Sequence, residues 1–232
     1  MRFLLTLIAC LPLMPAPRPT AEAQVFRYQK TELEGWTIFV ETKLEADEPL
    51  CAQVLNLLRV KLWEVARRLP ARTVERLRQV EIRIHADREG CPGGVYHPSE
   101  DWLLNHDLPG DWARGIEFGN AQNFLAWSRQ QPAMVLHELA HAWHHQVLGY
   151  DHEGILQDFA AVQAAGSLKK VLYVTGGEKP AYGLNNPQEF FAEMSEAWWS
   201  TNDFFPFVQA EVQADFPSTA TLMTKCWQAP ER

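Results

Sequence analysis

The sequence lacks basic blocks and long apolar runs, and these two absences narrow the possible function classes. Its 232 residues carry 21 Lys and Arg against 29 Asp and Glu, which gives a formal net charge of -8. An acidic chain without a lysine- or arginine-rich block is a poor nucleic-acid binder. After the first 23 residues, no apolar run reaches the length of a membrane span. The 47% share of hydrophobic residues excludes wholesale disorder, so we expect a globular, acidic protein.

Cysteine is also scarce, with four residues at positions 10, 51, 91 and 226. No two of them are close enough in the chain to form a zinc knuckle. In an oxidising compartment Cys51, Cys91 and Cys226 are an odd number. One disulfide with a free thiol and three buried thiols both fit this number. Of the pairings we prefer Cys51–Cys91, although spacing does not define connectivity.

The first 23 residues predict an export signal. Met1-Arg2 gives a short positive start, an apolar run follows over 3–14, and Ala21-Glu22-Ala23 is a small-x-small cleavage pattern. We therefore expect a secreted or periplasmic protein, cleaved near Ala23, with a single domain over 24–232. The alternative is a lipoprotein modified at Cys10, although the nine residues before Cys10 leave little room for a full apolar region.

The order of predicted strands and helices is typical of an α+β fold. Strands are predicted over 36–40 and 80–84, with short candidates at 95–97, 115–119 and 171–174. Helices are predicted over 50–69, 130–148, 155–168 and 187–199, with one or two more within 206–227, while 98–114 is predicted to be irregular. Strands come early and helices late, which excludes a regular βαβ alternation. We therefore expect a small mixed sheet early in the chain and a helical C-terminal half.

The main chemical motif is His137-Glu138-Leu139-Ala140-His141, within the predicted helix 130–148. Positions four apart lie on the same helix face, so both imidazoles can bind one ion. Zinc suits such nitrogen donors. Glu138, beside the first ligand, can act as a general base toward water at the metal. The alternative interpretation is a histidine-bearing surface helix.

A catalytic zinc site also needs a third protein ligand. The longer metzincin pattern requires a histidine at position 147, which is valine, so that class is excluded. His144 and His145 are too close along the helix to complete a site with both motif histidines. We interpret these two residues as flanking and solvent-exposed.

Carboxylates follow one face of the predicted helix 187–199. Glu189, Glu193 and Glu196 stand at i, i+4 and i+7. One interpretation is a solvated helix face. A second is that Asn186-Pro187-Gln188-Glu189 begins the helix and that Glu189 only caps it. A third is metal ligation by Glu189, which its early position on the helix permits.

The two blocks together resemble a known family. His137-Glu138-x-x-His141 and the segment from Tyr182 to Glu193 (YGLNNPQEFFAE) are similar to the catalytic domain of anthrax lethal factor and to the related bacterial Pro-Pro endopeptidases. These are secreted zinc metalloendopeptidases of the gluzincin type, so the resemblance implies a zincin-like fold. It covers residues from about 130 to 200, and the seven-residue step from Tyr182 to Glu189 is part of it.

The resemblance also implies a role for each matching residue. His137 and His141 would ligate one Zn²⁺ ion, with Glu189 as the third protein ligand. Glu138 would be the general base. Tyr182 would donate its phenolic proton to the oxyanion that develops on the peptide carbonyl, and Glu193 would orient a ligand histidine. Without the resemblance, Tyr182 reads as a structural tyrosine in a turn.

The leading hypothesis is a secreted, monomeric zinc endopeptidase that acts on a peptide or protein substrate. Two alternatives stay open: a zincin-like binding module without catalysis, and a metal amidase that acts on cell-wall peptides. The resemblance does not reach the N-terminal half, so it implies no substrate preference. Residues 115–118 are a candidate for the edge strand along which an extended peptide would pair, and an ordinary core strand is the other interpretation.

Overall fold

The computed structural model describes residues 25–228, so the predicted export signal and Cys10 lie outside the described residues. The strands are β1 (Tyr28–Leu33), β2 (Trp36–Glu41), β3 (Ile82–Ile84), β4 (Gly94–Tyr96), β5 (Ile116–Phe118), β6 (Val171–Leu172) and β7 (Glu178–Lys179). The α-helices are α1 (Thr42–Glu45), α2 (Glu48–Arg68), α3 (Ala71–Leu77), α4 (Glu100–Asn105), α5 (Ala121–Trp127), α6 (Met134–Trp143), α7 (Glu153–Ala165), α8 (Pro187–Trp199), α9 (Gln209–Asp215) and α10 (Pro217–Cys226).

The early strands form one mixed sheet of order β1-β2-β3-β5-β4. β1 and β2 are antiparallel, β2, β3 and β5 are parallel, and β4 returns antiparallel to β5. The predicted α+β class, with a small mixed sheet early in the chain, is therefore confirmed. The expectation that 115–118 forms an edge strand is wrong. β5 is interior because β4 pairs with its outer side, with Gly94 opposite Phe118, and β4 is the edge.

Local capping signals define several helix boundaries. α8 has the predicted bounds, because the Asn186 side chain accepts a hydrogen bond from the Glu189 amide at 2.8 Å and Pro187 occupies the first turn. α7 ends earlier than predicted, at Ala165, because Gly166 adopts a left-handed conformation at φ 71°. The segment 98–114 is not wholly irregular, since Ser99 caps the short helix α4.

The predicted helix 130–148 is shorter and less regular than expected. α6 begins at Met134, because residues 129–133 form turns that precede it. After Trp143 the chain widens into a π-helical turn over His144–Leu148 and stops at Gly149, which has a positive φ of 85°. A π-helical turn contains more residues than an α-helical turn, so the side chains after Trp143 shift around the axis.

Trp227, which follows α10, packs against two of the helices, α6 and α8. Its ring stacks on Trp143 of α6 and on Phe191 of α8, with ring centroids 5.7 Å apart in both cases. The Trp227 indole also donates to the Ser195 hydroxyl at 3.0 Å, and its carbonyl accepts from the Thr73 hydroxyl at 2.9 Å. Burying aromatic rings of this size stabilises the fold by about 1.5–3 kcal/mol each. These contacts hold α6 and α8 in a fixed relative position.

The predicted Cys51–Cys91 disulfide is wrong. Cys51, Cys91 and Cys226 are buried free thiols, which was the other interpretation. They lie in separate parts of the fold: Cys51 in α2, Cys91 in the turn before β4, and Cys226 at the end of α10. Burial raises the pKa of the Cys91 and Cys226 thiols to about 11, which disfavours their reactive thiolate form.

Within residues 25–228, no helix combines the length and apolar character required to cross a membrane.

Candidate metal centre

Helix α6 brings the two motif histidines together. His137 and His141 are one helical turn apart, and their ring centroids are 4.7 Å apart. Most of the surrounding helix is buried, including Leu139 and Trp143, so the helix cannot rotate without exposing core residues. Both imidazoles are therefore held by a rigid element.

Helix α8 contributes Glu189 from the opposite side. The cap is made by the Asn186 side chain, which accepts from the Glu189 amide, so the Glu189 carboxylate is free to point at the histidines. Its Oε2 atom lies 3.0 Å from His137 Nε2 and 3.3 Å from His141 Nε2. Helix capping and contact with the histidines thus belong to two different residues, and the two interpretations of Glu189 do not compete.

The three facing atoms form a compact triangle. Besides the two contacts of Glu189, the Nε2 atoms of His137 and His141 are 3.1 Å apart. A tetrahedral zinc ion with bonds of about 2.0–2.1 Å holds its ligand atoms about 3.3 Å apart. The triangle therefore has nearly the size of one face of such a tetrahedron.

The proton on His137 shows why these atoms need a cation. Glu196 Oε1 lies 2.6 Å from His137 Nδ1, and because a carboxylate only accepts, Nδ1 must donate. A neutral His137 then presents the lone pair of its Nε2 atom to the Glu189 carboxylate. Two acceptors at this distance repel unless a proton or a metal ion lies between them. The donor set of His137, His141 and Glu189 can therefore hold a metal ion.

The pKa directions agree with this interpretation. Burial lowers the pKa of His137, but its hydrogen bonds with Glu189 and Glu196 outweigh burial and hold that pKa well above its usual range. Burial raises the pKa of Glu189, and the hydrogen bonds from His137 and His141 overcome it and lower the pKa to about 2. The two opposite shifts show that the imidazole and the carboxylate together stabilise a positive charge between them.

The side chain of Glu138, which belongs to α6, lies against the edge strand β4. A methyl group added at Gly94 would be 2.9 Å from both Glu138 Oε1 and the Phe118 ring, so glycine at this position lets the carboxylate lie close to β4. Burial raises the pKa of Glu138, and the nearby Glu189 raises it further, while His137 and His141 oppose the shift. A carboxylate with a raised pKa is a stronger base than an exposed one.

Tyr182 stands on the other side of His137. It begins a short 3-10 helix, Tyr182–Leu184, just before α8, and its ring centroid is 6.4 Å from that of His137. Gly183 permits this placement, because a methyl group there would be 3.3 Å from the Phe190 backbone. The Tyr182 side chain is 47% exposed, so its hydroxyl can reach a bound molecule.

The carboxylate that orients His137 is Glu196, and the expectation that Glu193 does so is not met. Both residues are buried and both lie on the same face of α8 as Glu189. Glu193 instead accepts a hydrogen bond from the Asn202 side chain at 3.2 Å. Two turns after Glu189, Glu196 reaches the far nitrogen of the same imidazole that Glu189 contacts from the near side. The i, i+7 spacing was the only sequence signal for this role.

The prediction that His144 and His145 are solvent-exposed is wrong for His144 and inexact for His145. His144 is buried, with its ring 5.0 Å from both Tyr150 and Phe191. His145 is partly buried, and its Nδ1 atom lies 2.8 Å from the Tyr96 hydroxyl. The π-helical turn changes the direction of both side chains. Neither histidine belongs to the group that could hold the ion, as expected.

Two cavities meet at the candidate site and form a cleft. One of 360 Å³ lies toward Trp127 and Asp203, and one of 400 Å³ lies toward Tyr96 and Gln188. The two cavities share four of their lining residues: Gly94, His137, Glu138 and Tyr182. His137, Glu138 and Tyr182 therefore stand in the middle of a cleft that follows the edge strand.

Comparison with models of known protein families, with curated proteins and with solved structures gave no match to this chain. The chemistry of the site is therefore inferred from its own geometry. Three ligand atoms, a buried carboxylate and a half-exposed phenol face one cleft, and this set can bind a metal ion, move a proton and stabilise a negative oxygen.

Proposed function

We propose that this protein is an exported, zinc-dependent endopeptidase with a zincin-like fold. One observation supports the proposal most strongly. The ligand triangle, the carboxylate of Glu138 and the hydroxyl-bearing ring of Tyr182 converge where two cavities join beside the edge strand. Each part needed for metal-assisted hydrolysis is present within this cleft.

The donor set suits zinc. Two imidazole nitrogens and one carboxylate oxygen, with one side open to a cleft, is the ligand arrangement of catalytic zinc sites. A bound zinc ion supplies Lewis acidity, which makes water acidic near neutral pH and polarises a carbonyl group. His137, His141 and Glu189 would hold it, and Glu196 would keep His137 in the tautomer whose Nε2 atom binds.

Glu138 and Tyr182 perform the proton and charge steps. Glu138 takes a proton from the attacking water and returns it to the leaving amine, a role that its raised pKa favours. Tyr182 donates its phenolic hydrogen to the oxygen that becomes negative as the carbonyl is attacked. Its high pKa keeps the hydroxyl protonated, since burial and the nearby Glu189 both raise it.

The edge strand β4 positions the substrate. Its outer side carries no strand partner within residues 25–228, and it lies against Glu138 through Gly94. An extended peptide that pairs with this edge by main-chain hydrogen bonds would pass over the metal ligands with a carbonyl near Tyr182. The arrangement favours cleavage within a peptide bound across both cavities.

The test is the cleavage of a diverse peptide library by the zinc-loaded protein, beside its Glu138→Gln variant. We expect cuts with the parent protein and a loss of about 10²–10⁴-fold in the variant, with zinc content unchanged. Glu153→Gln, an exposed change on α7, is the matched control and should cut like the parent. Equal cleavage by the parent and Glu138→Gln, both fully loaded, would reject the proposed role of Glu138.

A further inference from the structure

The cavity on the Asp203 side of the cleft has an acidic floor. Glu193, Glu196 and Asp203 all line it and are only 4%, 3% and 2% exposed. The three side chains come from α8 and from the loop that follows it. Three buried carboxylates at one wall are unfavourable unless cations or donors compensate them.

The carboxylates of this floor have hydrogen-bond donors for only some of their oxygen atoms. Glu196 accepts from His137, and Glu193 accepts from the Asn202 amide. Asp203 Oδ2 is buried and lacks a hydrogen-bond partner of good geometry within residues 25–228, although the Gln131 side chain and the Lys179 ammonium lie near this carboxylate. Because a buried acceptor without a donor is costly, this atom indicates a donor that arrives from the cavity.

The wall above the floor is aromatic and already contacts an ammonium group. Lys179 Nζ, at the end of β7, lies 3.3 Å from the Tyr173 ring centroid and 4.7 Å from that of Phe204. Both rings line the same cavity, as does the exposed Trp127. Ring faces of this kind attract cations. The wall therefore binds an ammonium group of this chain, and because Lys179 is an exposed side chain it can move aside for another cation.

A second metal ion fits this cavity less well than an organic cation. The atoms of His137, Glu193 and Glu196 that could serve as ligands lie within 4.8 Å of one another. His137, however, already donates through Nδ1 to Glu196 and faces the ligand triangle through Nε2. It has no nitrogen left for another ion. An aromatic wall also contributes nothing to the coordination of a metal.

We propose that this cavity is a specificity subsite that binds a cationic group of the substrate, an ammonium or guanidinium, through Asp203 and the aromatic wall. The inference rests on the proposed peptidase function and names the substrate class that it selects. A volume of 360 Å³ lies within the range of sites that bind small organic groups. The cation takes the place of the Lys179 ammonium at the rings and donates to Asp203 Oδ2.

The cation has two sources in a peptide: a lysine or arginine side chain, or the amino-terminal ammonium. Three probes separate them by NMR titration of the zinc-loaded protein: Nα-acetyl-lysine methylamide, alanine methylamide and Nα-acetyl-alanine methylamide. Only the first has a charged side chain, only the second has a free terminus, and the third is neutral. We expect at least one charged probe to bind about tenfold or more tighter than the neutral one. The tighter charged probe identifies the source.

Asp203→Asn then locates the binding. This change keeps the shape of the side chain and removes its charge, so the preference for the charged probe should fall about tenfold. Asp215→Asn is the control, since Asp215 is an exposed aspartate at the end of α9 that does not line the cavity. If Asp203→Asn does not fold, the comparison of probes on the parent protein still decides.

Equal binding of the charged and neutral probes to the parent protein would overturn the inference, as would a preference that Asp203→Asn retains in full. These readouts need no turnover, so they are independent of the peptidase assay. A protein that cleaves peptides without favouring charged ones removes only the subsite. A protein that binds charged probes but cleaves nothing removes the peptidase function and leaves the cation site.

Discussion

Two clusters in this molecule contain the same residue types, two histidines and a glutamate, yet they differ in what neutralises them. In the sheet, Glu117 of β5 is fully buried beside His97 at 2.9 Å and His85 at 3.4 Å. Arg88 adds a two-pronged contact to the same carboxylate, with one branch at 3.0 Å. The carboxylate of that cluster is therefore neutralised by a cation of the protein itself.

At the junction of α6 and α8, His137, His141 and Glu189 lie equally close, but no arginine or lysine contacts them within residues 25–228. Their carboxylate and lone pairs face a cleft instead of a guanidinium. The difference teaches that donor types and distances alone do not define a metal site. The absence of an internal cation, together with access from a cleft, separates a site from a structural cluster.

The largest difference between the two clusters should be in zinc content when one histidine is removed from each. We expect His137→Ala to lose stoichiometric zinc and peptidase activity, because two ligands hold the ion far more weakly than three. His97→Ala is the matched change in the sheet cluster. This variant should still bind zinc at the α6–α8 site and should lose only stability. Zinc per chain, measured by mass spectrometry after dialysis, checks both. Full zinc content in His137→Ala would remove the distinction between the clusters.

The sheet cluster should respond most to loss of its cation. Arg88→Met leaves the fully buried Glu117 without its arginine partner, so we expect the free energy of unfolding to fall by about 3–5 kcal/mol. Urea unfolding at pH 7 measures this change. Arg129→Met, which removes an exposed arginine, should change stability by less than about 0.5 kcal/mol. A similar small loss in Arg88→Met would show that Glu117 is compensated in another way.

Tyr182→Phe tests the catalytic side of the comparison without touching a ligand. The change removes only the phenolic hydroxyl, so zinc content and stability should stay as in the parent. We expect kcat to fall about 10²–10³-fold with little change in KM, as for the loss of one oxyanion donor. Steady-state kinetics on a peptide found in the library screen gives both constants. A selective rise in KM would instead assign Tyr182 to ground-state binding.

Glu196→Gln against Glu193→Gln decides which carboxylate supports the ligand histidine. Losing the charged partner of His137 should weaken zinc binding about 10–100-fold, whereas Glu193→Gln should leave it nearly unchanged. Competition with a zinc chelator measures the affinity. The opposite order would restore Glu193 to the role that the sequence resemblance implied.

The last prediction is an opposite pH response of His85 and His137 in the metal-free protein. Burial lowers the pKa of His85 to about 4, so the stability it gives when neutral is present above 6.5 and is lost as the pH falls toward 4. The pKa of His137 is raised, because its carboxylate partners outweigh burial, so its stability is present in acid and lost as the pH rises past that pKa. NMR titration of the imidazole protons distinguishes the two residues. A His85 that titrates at 6.5 would contradict its buried placement.

The sequence predicts those parts of the fold that depend on neighbouring residues. The bounds of α8 follow from Asn186 and Pro187, which act within one turn. The edge position of β4 depends instead on pairing with β5 across an intervening helix, and no local pattern encodes it. Helix α5 was missed because its seven residues lack a clear apolar repeat, and its start depends on the Asn120 cap.

The same division holds for the site. His137, Glu138 and His141 are predictable because one helical turn brings them together. Glu189 required a second block of sequence and its resemblance to a family. The choice of Glu196 over Glu193 depends on how α8 is rotated against α6, which is a property of core packing. Asp203 carries no local sequence signal. The wall beside it forms through an antiparallel bridge between Tyr173 and Phe204, which are distant in the chain.

The stack of Trp227 on Trp143 and Phe191 has a consequence for the order in which the molecule assembles. Trp227 follows all three proposed ligand positions in the chain, and it stacks on both helices that carry them, which also pack directly on each other. A chain synthesised from its amino end contains the histidines and Glu189 before Trp227 is available to stack on the two helices. Elongation past Glu189 therefore leaves the packing of these two helices incomplete. The last contacts that fix the proposed ligands form only when the end of α10 docks.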